Sequence, residues 1–192
     1  MNLAIVIPTR KRLWWLKQQV KAVAQQLKGG DQIIIVIDCD EVDEELMLLL
    51  AQRAENKFTV VHLHYARASD HARVNYARNV GSQLAQPGSA IVEVDDHDIL
   101  KPGCLDAIRA ALDDGAVYVF GDCSMQAILE TPHAKEKTLI EQWPDVKHCY
   151  TPGGFARGEI EVIGVRAIRG DVWQAEGGWS LDVWPGGDFD LA

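Results

Sequence analysis

Three carboxylates and an imidazole stand in four consecutive positions, Asp95, Asp96, His97 and Asp98, directly after the apolar run Ala90-Ile91-Val92-x-Val94. Like charges this close repel by about 1 kcal/mol per pair even in water, and by more near a protein surface. Solvent at an exposed loop tip can take up that repulsion. The cluster is then a turn that caps the following helix, since Asp favours caps and turns. A hard divalent cation, Mg2+ or Mn2+, can take it up as well, bound by carboxylate oxygen with imidazole tolerated by Mn2+. An EF-hand is excluded, because Asp96-x-Asp98 is followed by Leu100 with neither the glycine nor the glutamate that such a loop requires.

Other polar residues close apolar runs in the same way. Pro8-Thr9-Arg10 follows "LAIVI", Asp38-Cys39-Asp40 follows "QIIIVI", and Gly121-Asp122 follows "AVYVF". In open α/β sheets ligands bind beyond the carboxyl ends of the strands, so several polar ends on one rim suggest a site. Arg73, Arg78 and Asn79 lie in "RVNYARNVGSQLA". They read either as an amphipathic helix with exposed arginines or as one or two arginine cations reaching toward phosphate. His62 and His64 alternate on a strand and read as strand-surface residues; Trp14-Trp15 reads as core and shoulder packing.

The elements that must carry these residues follow from periodicity. Leu3 to Pro8 is a short β-branched run closed by proline, a buried strand. Leu13, Leu16, Val20, Val23 and Leu27 repeat at three and four and mark one face of a helix, stopped by Gly29-Gly30. Gln32 to Asp38 is apolar without alternation, as strands buried on both faces are. Val42 to Ala54 reads as helix, "KFTVVHLHY" as a third strand and His71 to Ala85 as helix. "SAIVEV" is a fourth strand, Pro102 to Leu112 a helix and "AVYVF" a fifth strand. Alternating strands and helices require an α/β fold: a doubly wound, mostly parallel sheet with helices on both faces and right-handed crossovers. Beyond Gly121 the pattern loosens. "TPHAKEKTLIEQWPDVKHCYTPGGFARGE" reads as long loops or a flap, "EVIGVRAI" as a candidate strand and "RGDVWQAEGGW" as a short helix ending at Gly177-Gly178.

Composition bounds the partners. The chain has 192 residues, 47% hydrophobic and 24% charged, enough for one domain with a proper core. Its net charge of −9 leaves no footprint for general binding to nucleic acid or anionic membranes. No segment is apolar enough to span a membrane, and "MNLAIVIPTRKR" has the wrong order of charge and apolar run for a signal peptide. The cysteines Cys39, Cys104, Cys123 and Cys149 form no CxxC and read as reduced thiols, so a cytoplasmic location is expected.

Five stretches taken in order resemble a known family. "IVIPTRKR", "IIIVIDCD", "NYARNVGSQLA", "IVEVDDHDILKPGCLDAI" and "GGW…GGDFDLA" look like a family 2 glycosyltransferase of the GT-A fold, from residue 3 to residue 192. The resemblance implies a single GT-A domain over 1–192, with 1–121 the nucleotide-binding half and 122–192 the donor-sugar and acceptor half. It implies that Pro8, Thr9 and Arg10 form the first nucleotide-binding turn and that Asp38 binds the base, with Asp40 a lesser candidate. Arg78 matches the family's "ARN" arginine. Asp95-Asp96-His97 matches the D-x-D site that holds a metal, Mn2+ or Mg2+, on the sugar-nucleotide diphosphate; Asp95 and His97 are the first choices, Asp98 is a third metal candidate that can also support the turn, and Asp96 is expected to face the sugar or ribose. Gly177-Gly178-Trp179 matches the loop near donor sugar and acceptor, and Asp188 the general base of inverting members.

The third metal position is His97 where the family has Asp, and Gly187 stands where the family usually has Glu. The chain ends four residues after Asp188, so it is expected to be minimal, truncated or completed by a partner. The implied reaction is inverting, metal-dependent transfer from a nucleotide-diphospho-sugar, a UDP-sugar first, to an unknown acceptor; a homo-oligomer is left open. Two alternatives stand beside it. A non-catalytic GT-A-fold binding protein would account for Gly187. A nucleotidyltransferase would carry a glycine-rich basic loop after strand one, and "PTRKRLWW" has no glycine.

Overall fold

The computed structural model of the chain describes residues 1–10, 12–38, 58–63, 73–120, 123–129, 138–146 and 165–179. The elements run β1 (Leu3–Thr9), α1 (Leu13–Ala24), β2 (Gln32–Ile37), β3 (Phe58–His62), α2 (Arg73–Gln83), β4 (Ala90–Glu93), α3 (Cys104–Asp113), β5 (Tyr118–Phe120), β6 (Cys123–Leu129), β7 (Thr138–Val146), β8 (Arg166–Ile168) and α4 (Gly170–Glu176). The expected helix over Val42 to Ala54 lies outside the described residues, as do His64, Cys39, Asp40 and Asp188.

Six strands form one sheet in the order β3-β2-β1-β4-β8-β5. β1 pairs in parallel with both β2 and β4, and β2 in parallel with β3. β8 runs antiparallel to both neighbours, so it separates β4 from β5. Among the described residues the sheet is therefore mostly parallel, and the candidate strand in "EVIGVRAI" is its one reversed member.

Both faces are covered, which is why β1 and β2 read as unbroken apolar runs. Leu3, Ile5, Ile7, Ile33, Ile35, Ile37, Val92 and Val94 pack with Leu16, Val20 and Val23 of α1 and with Leu105, Ile108 and Leu112 of α3. The alternate residues Ala4, Val6, Ile34, Val36 and Ile91 pack with Ala77 of α2 and Trp173 of α4. Strand periodicity thus assigns one helix pair to each face. α2 sits close because Gly81 has no side chain. A Cβ there would stand 2.5 Å from Val6 Cγ1 and 3.0 Å from Val36 Cγ2.

The carboxyl-end rim is joined by main-chain bonds that continue the ladder. Asp38 N–H donates to Thr9 O at 2.8 Å, and Val94 N–H to Val6 O at 3.1 Å. At the opposite rim Asp31 is buried beneath α3. Its carboxylate accepts from Leu3 N–H at 2.9 Å, from Lys28 N–H at 2.7 Å and from the Arg109 guanidinium.

The chain divides into two compact units, Met1–Phe120 with Val165–Ala192, and Gly121–Gly164. The second contains β6 and β7, an antiparallel pair with two register shifts. This corrects the expectation of long loops there. Pairing across the intervening segment makes a strand of "TLIEQWPDV", which lacks a clean period-two pattern of its own. Among the described residues no helix is long and apolar enough to cross a membrane.

Candidate active site

The ends of β1, β2 and β4 meet on one rim, and the turn after β4 sits among them. Asp98 N–H closes that turn onto Asp95 O at 3.1 Å. Asp96 points inward and is 3% exposed. Its Oδ2 accepts from Thr9 Oγ1 at 2.7 Å, and its Oδ1 accepts from Arg12 Nη1 at 3.2 Å. His97 Nδ1 lies 3.2 Å from Asp96 Oδ1 and 3.0 Å from Arg12 Nη1. Asp95 accepts from Arg78 Nη2 at 2.8 Å.

The turn therefore splits its four residues by role. Asp96, expected to face sugar or ribose, instead lies buried against Thr9 and Arg12. Burial pushes its carboxyl up, but hydrogen bonds from His97 and Thr9 and the Arg12 guanidinium together hold it below the ordinary aspartate range. His97 is raised by its bond to Asp96, against the effect of burial. Asp98 is raised by burial and by the Asp95 carboxylate beside it. The Asp95 side chain is 35% exposed and that of His97 47%.

Asp95, half-buried, and His97, exposed, carry the oxygen and imidazole nitrogen that Mn2+ accepts. His97 Nδ1 lies between the Asp96 carboxylate and the Arg12 guanidinium, and Nε2 lies 4.0 Å from Asp98 Oδ1; with the ring proton on Nδ1 toward Asp96, the lone pair would stand at Nε2, the usual condition of a metal-bound imidazole. Among the described residues no group of three or more His, Cys, Asp or Glu is arranged to hold a metal. Among the described residues the turn offers a pair of ligands, which suits ions that keep water and phosphate oxygen in their shell.

Arg78 departs from the expectation of a cation extended toward phosphate. It is 2% exposed. Its guanidinium donates to Asn75 Oδ1 at 3.2 Å and to Asp95 Oδ1, and its Nε lies 3.8 Å from Glu93 Oε2. The position on α2 faces the end of β4, where two carboxylates compete for the charge. Pro8 and Asp38 are buried on the rim and Arg10 is exposed. Gly177 and Gly178 take left-handed conformations at the end of α4, with φ of 82° and 91°. Trp179, which follows them, is buried.

Several pairings here escape sequence reasoning. Arg12 joins Asp96 and His97 from the start of α1. Asn79 clamps the Trp179 main chain, donating from Nδ2 to its O and accepting from its N–H at Oδ1, each at 2.8 Å. Glu93 and Arg166 lie directly across from one another in the β4–β8 register. Their signal was present, a charged residue inside each of two apolar runs, "AIVEV" and "GVRAI". Trp14, expected in the packing, is 36% exposed and meets Trp15 edge-on at 4.7 Å.

Replacing Thr9 with valine tests the hold on Asp96. Removing one bond to a buried carboxylate is expected to cost about 1–3 kcal/mol at neutral pH. A carboxyl depressed in the folded state stabilises above the ordinary value of about 3.9, and that stability is lost as pH falls through the lower folded value. The Thr9→Val deficit should therefore be full at pH 7 and smaller at about pH 3.5 in paired urea titrations. A deficit that does not change with pH would refute a charge-assisted bond.

The profile of Glycosyl transferase family 2 matches residues 4–165. No curated protein matches the chain. Among solved structures, residues 1–349 of S. aureus TarS are 15% identical over 98% of this chain and 53% of that one, with TM-score 0.63. The same protein in complex with UDP-GlcNAc gives 14% identity, 94% and 49% coverage, and TM-score 0.60. Mannosyltransferase PcManGT from Pyrobaculum calidifontis, in complex with GDP-Man and Mn2+, is 14% identical over 96% of this chain and 49% of that one, with TM-score 0.62. The 4-diphosphocytidyl-2C-methyl-D-erythritol synthase from Anaerococcus prevotii is 13% identical over 91% of this chain and 72% of that one, with TM-score 0.55. At these identities the likeness is one of fold. The chain spans about half the length of the TarS and PcManGT chains it matches. With the profile running from β1 to the start of β8, on a mostly parallel α/β sheet of the GT-A type, the chain belongs to glycosyl transferase family 2.

Proposed function

We propose that the chain is an inverting, metal-dependent glycosyltransferase that moves a sugar from a nucleoside diphosphate donor, a UDP-sugar first, to an acceptor hydroxyl. One observation carries the reading: the turn after β4 buries Asp96 against Thr9 and Arg12 and leaves Asp95 and His97 facing outward at the strand ends. Asp95 and His97 would hold Mn2+ or Mg2+. Bound there, the ion supplies Lewis-acid stabilisation of the negative charge that gathers on the leaving diphosphate. Asp96 orients the His97 ring, and Arg78 orients Asp95. Asp98 supports the turn. Pro8, Thr9 and Arg10 form the first nucleotide-binding turn, and Asp38 receives the base. The Gly177–Trp179 loop borders the donor sugar and acceptor. Asp188 takes the proton of the attacking hydroxyl, which requires it within hydrogen-bond reach on the far side of the anomeric carbon. Neighbours of the same fold solved with UDP-GlcNAc and with GDP-Man and Mn2+ support the donor class and the cation.

A thermal-shift panel of UDP, GDP, CDP and TDP, with and without Mn2+, tests the proposal. At about 100 times Kd one ligand adds ~2.7 kcal/mol, a rise in Tm of about 5–10 °C for a chain of this size. The rise should require a divalent cation, Mn2+ or Mg2+, and vanish in His97→Ala. No rise with any of the four nucleotides would overturn the metal–nucleotide site. Binding without Asp188-dependent transfer or donor hydrolysis would instead indicate a non-catalytic binding protein.

A further inference from the structure

Glu93 is buried in the last position of β4, and the chemistry proposed above does not use it. A charged group in a sheet interior is costly unless its partners are well placed, and an apolar residue of similar volume is often no worse for stability. Its surroundings therefore bear on what it does. Oε1 accepts from the Trp179 indole Nε1–H and lies 3.4 Å from Ser82 Oγ. Oε2 lies 3.8 Å from both Arg78 Nε and Arg166 Nη2. The two arginines thus neutralise the carboxylate from a distance, while its close bond goes to the indole.

Both of these arginines lead onward. Arg78 donates to Asp95, the outward carboxylate of the turn. Arg166 stands over the Trp179 ring, 5.0 Å from its centroid, where a guanidinium is attracted to the ring face. Meanwhile Asn79 on α2 fixes the Trp179 main chain through two bonds. The loop can sit there only because Gly178 has no side chain, since a Cβ would stand 2.8 Å from Asn79 Oδ1. The backbone of Trp179 is thus held from α2 and its ring from β4 and β8.

We propose that Glu93 is a positioning residue that keeps the Asp95 carboxylate and the Gly177–Trp179 loop in one register, so that a change at either is felt at the other. The function of that register rests on the glycosyltransferase reading; its existence does not. Under that reading the link would join the diphosphate side of the site to the donor-sugar side.

The test uses the full chain labelled with 5-fluorotryptophan, the Trp179 19F resonance being assigned by its loss in Trp179→Phe. Without ligand, Glu93→Gln should move that resonance. Asp95→Asn should also move it, and should move it less when Glu93→Gln is already present. A Trp179 resonance unmoved by Glu93→Gln, or equal Asp95→Asn shifts in both backgrounds, overturns the proposal. With UDP and MgCl2 as probe, Glu93→Gln should weaken binding about tenfold, the worth of one hydrogen bond to a charged group. If Glu93→Gln does not fold, Trp179→Phe, which removes the indole donor and trims the ring beneath Arg166, should weaken binding at least tenfold; unchanged affinity there overturns the link. A wild-type chain that binds none of the four nucleotides overturns the function proposed above, and the unliganded spectra then decide the register alone.

Discussion

An Asp31→Ala variant is expected to lose about 3–5 kcal/mol of folding stability, the range for removing one partner of a buried ion pair. Three donors depend on that one carboxylate. Leu3 N–H opens β1, Lys28 N–H lies in the connection from α1 to β2, and the Arg109 guanidinium comes from α3. The Asp31 side chain is 1% exposed and that of Arg109 9%, so neither finds water when the other is removed. Alanine would leave the buried Leu3 N–H unpaired, strip Lys28 N–H of its acceptor and leave Arg109 to its 2.7 Å bond with the more exposed Asp106. Arg109→Met keeps both backbone bonds and fills similar volume, so it should cost clearly less. Urea denaturation of the two variants at neutral pH checks the order. Equal costs, or an Asp31→Ala cost under about 1 kcal/mol, would refute the central place given to this carboxylate.

The second large effect is catalytic. Asp95→Asn keeps an oxygen for Arg78 Nη2 but carries no charge, so the fold should tolerate it while the site does not. Turnover of donor, by transfer or hydrolysis, is expected to fall about 10²–10³-fold, as when one preorganised electrostatic stabiliser is removed. Asp95→Ala removes the Arg78 acceptor as well. It should show the same rate loss together with a lower Tm, because Arg78 is buried and loses its 2.8 Å bond. Measuring kcat and Tm on both variants separates the roles. Retention of the wild-type rate in Asp95→Asn would remove Asp95 from the chemistry and leave it as a partner of Arg78.

Much of the frame was legible in the sequence because it is encoded locally. The unbroken apolar runs of β1 and β2 announce burial on both faces, and the three-and-four spacing from Leu16 to Val23 announces the face of α1. The acidic turn was legible too, since four polar residues after such a run can hardly be core. What could not be read there is direction and partnership. Whether Arg78 meets phosphate or carboxylate depends on residues as distant as Glu93 and Asp95, and no spacing rule carries that. The inward turn of Asp96 depends on Thr9, far earlier in the chain. β6 and β7 define each other by pairing, so neither has a strong pattern alone. Asp31 follows Gly29-Gly30 in sequence and has no legible role there, because two of its partners, Leu3 and Arg109, are far away in the chain.

The reversed strand β8 has a consequence for how the molecule comes into being. β4 and β5 do not touch through their ladders; both wait for Arg166–Ile168. On the ribosome the first four strands can assemble as they emerge, but β5, though Val119 can pack on the core, has no strand to pair with until the whole Gly121–Gly164 unit has been made. During that interval the outer edge of β4 is an open template, the kind of edge that recruits foreign strands. Closing it late also loads a long loop onto the final step, which slows that step more than it weakens the product. Nascent chains arrested before Arg166 should therefore be the aggregation-prone species in the life of this protein.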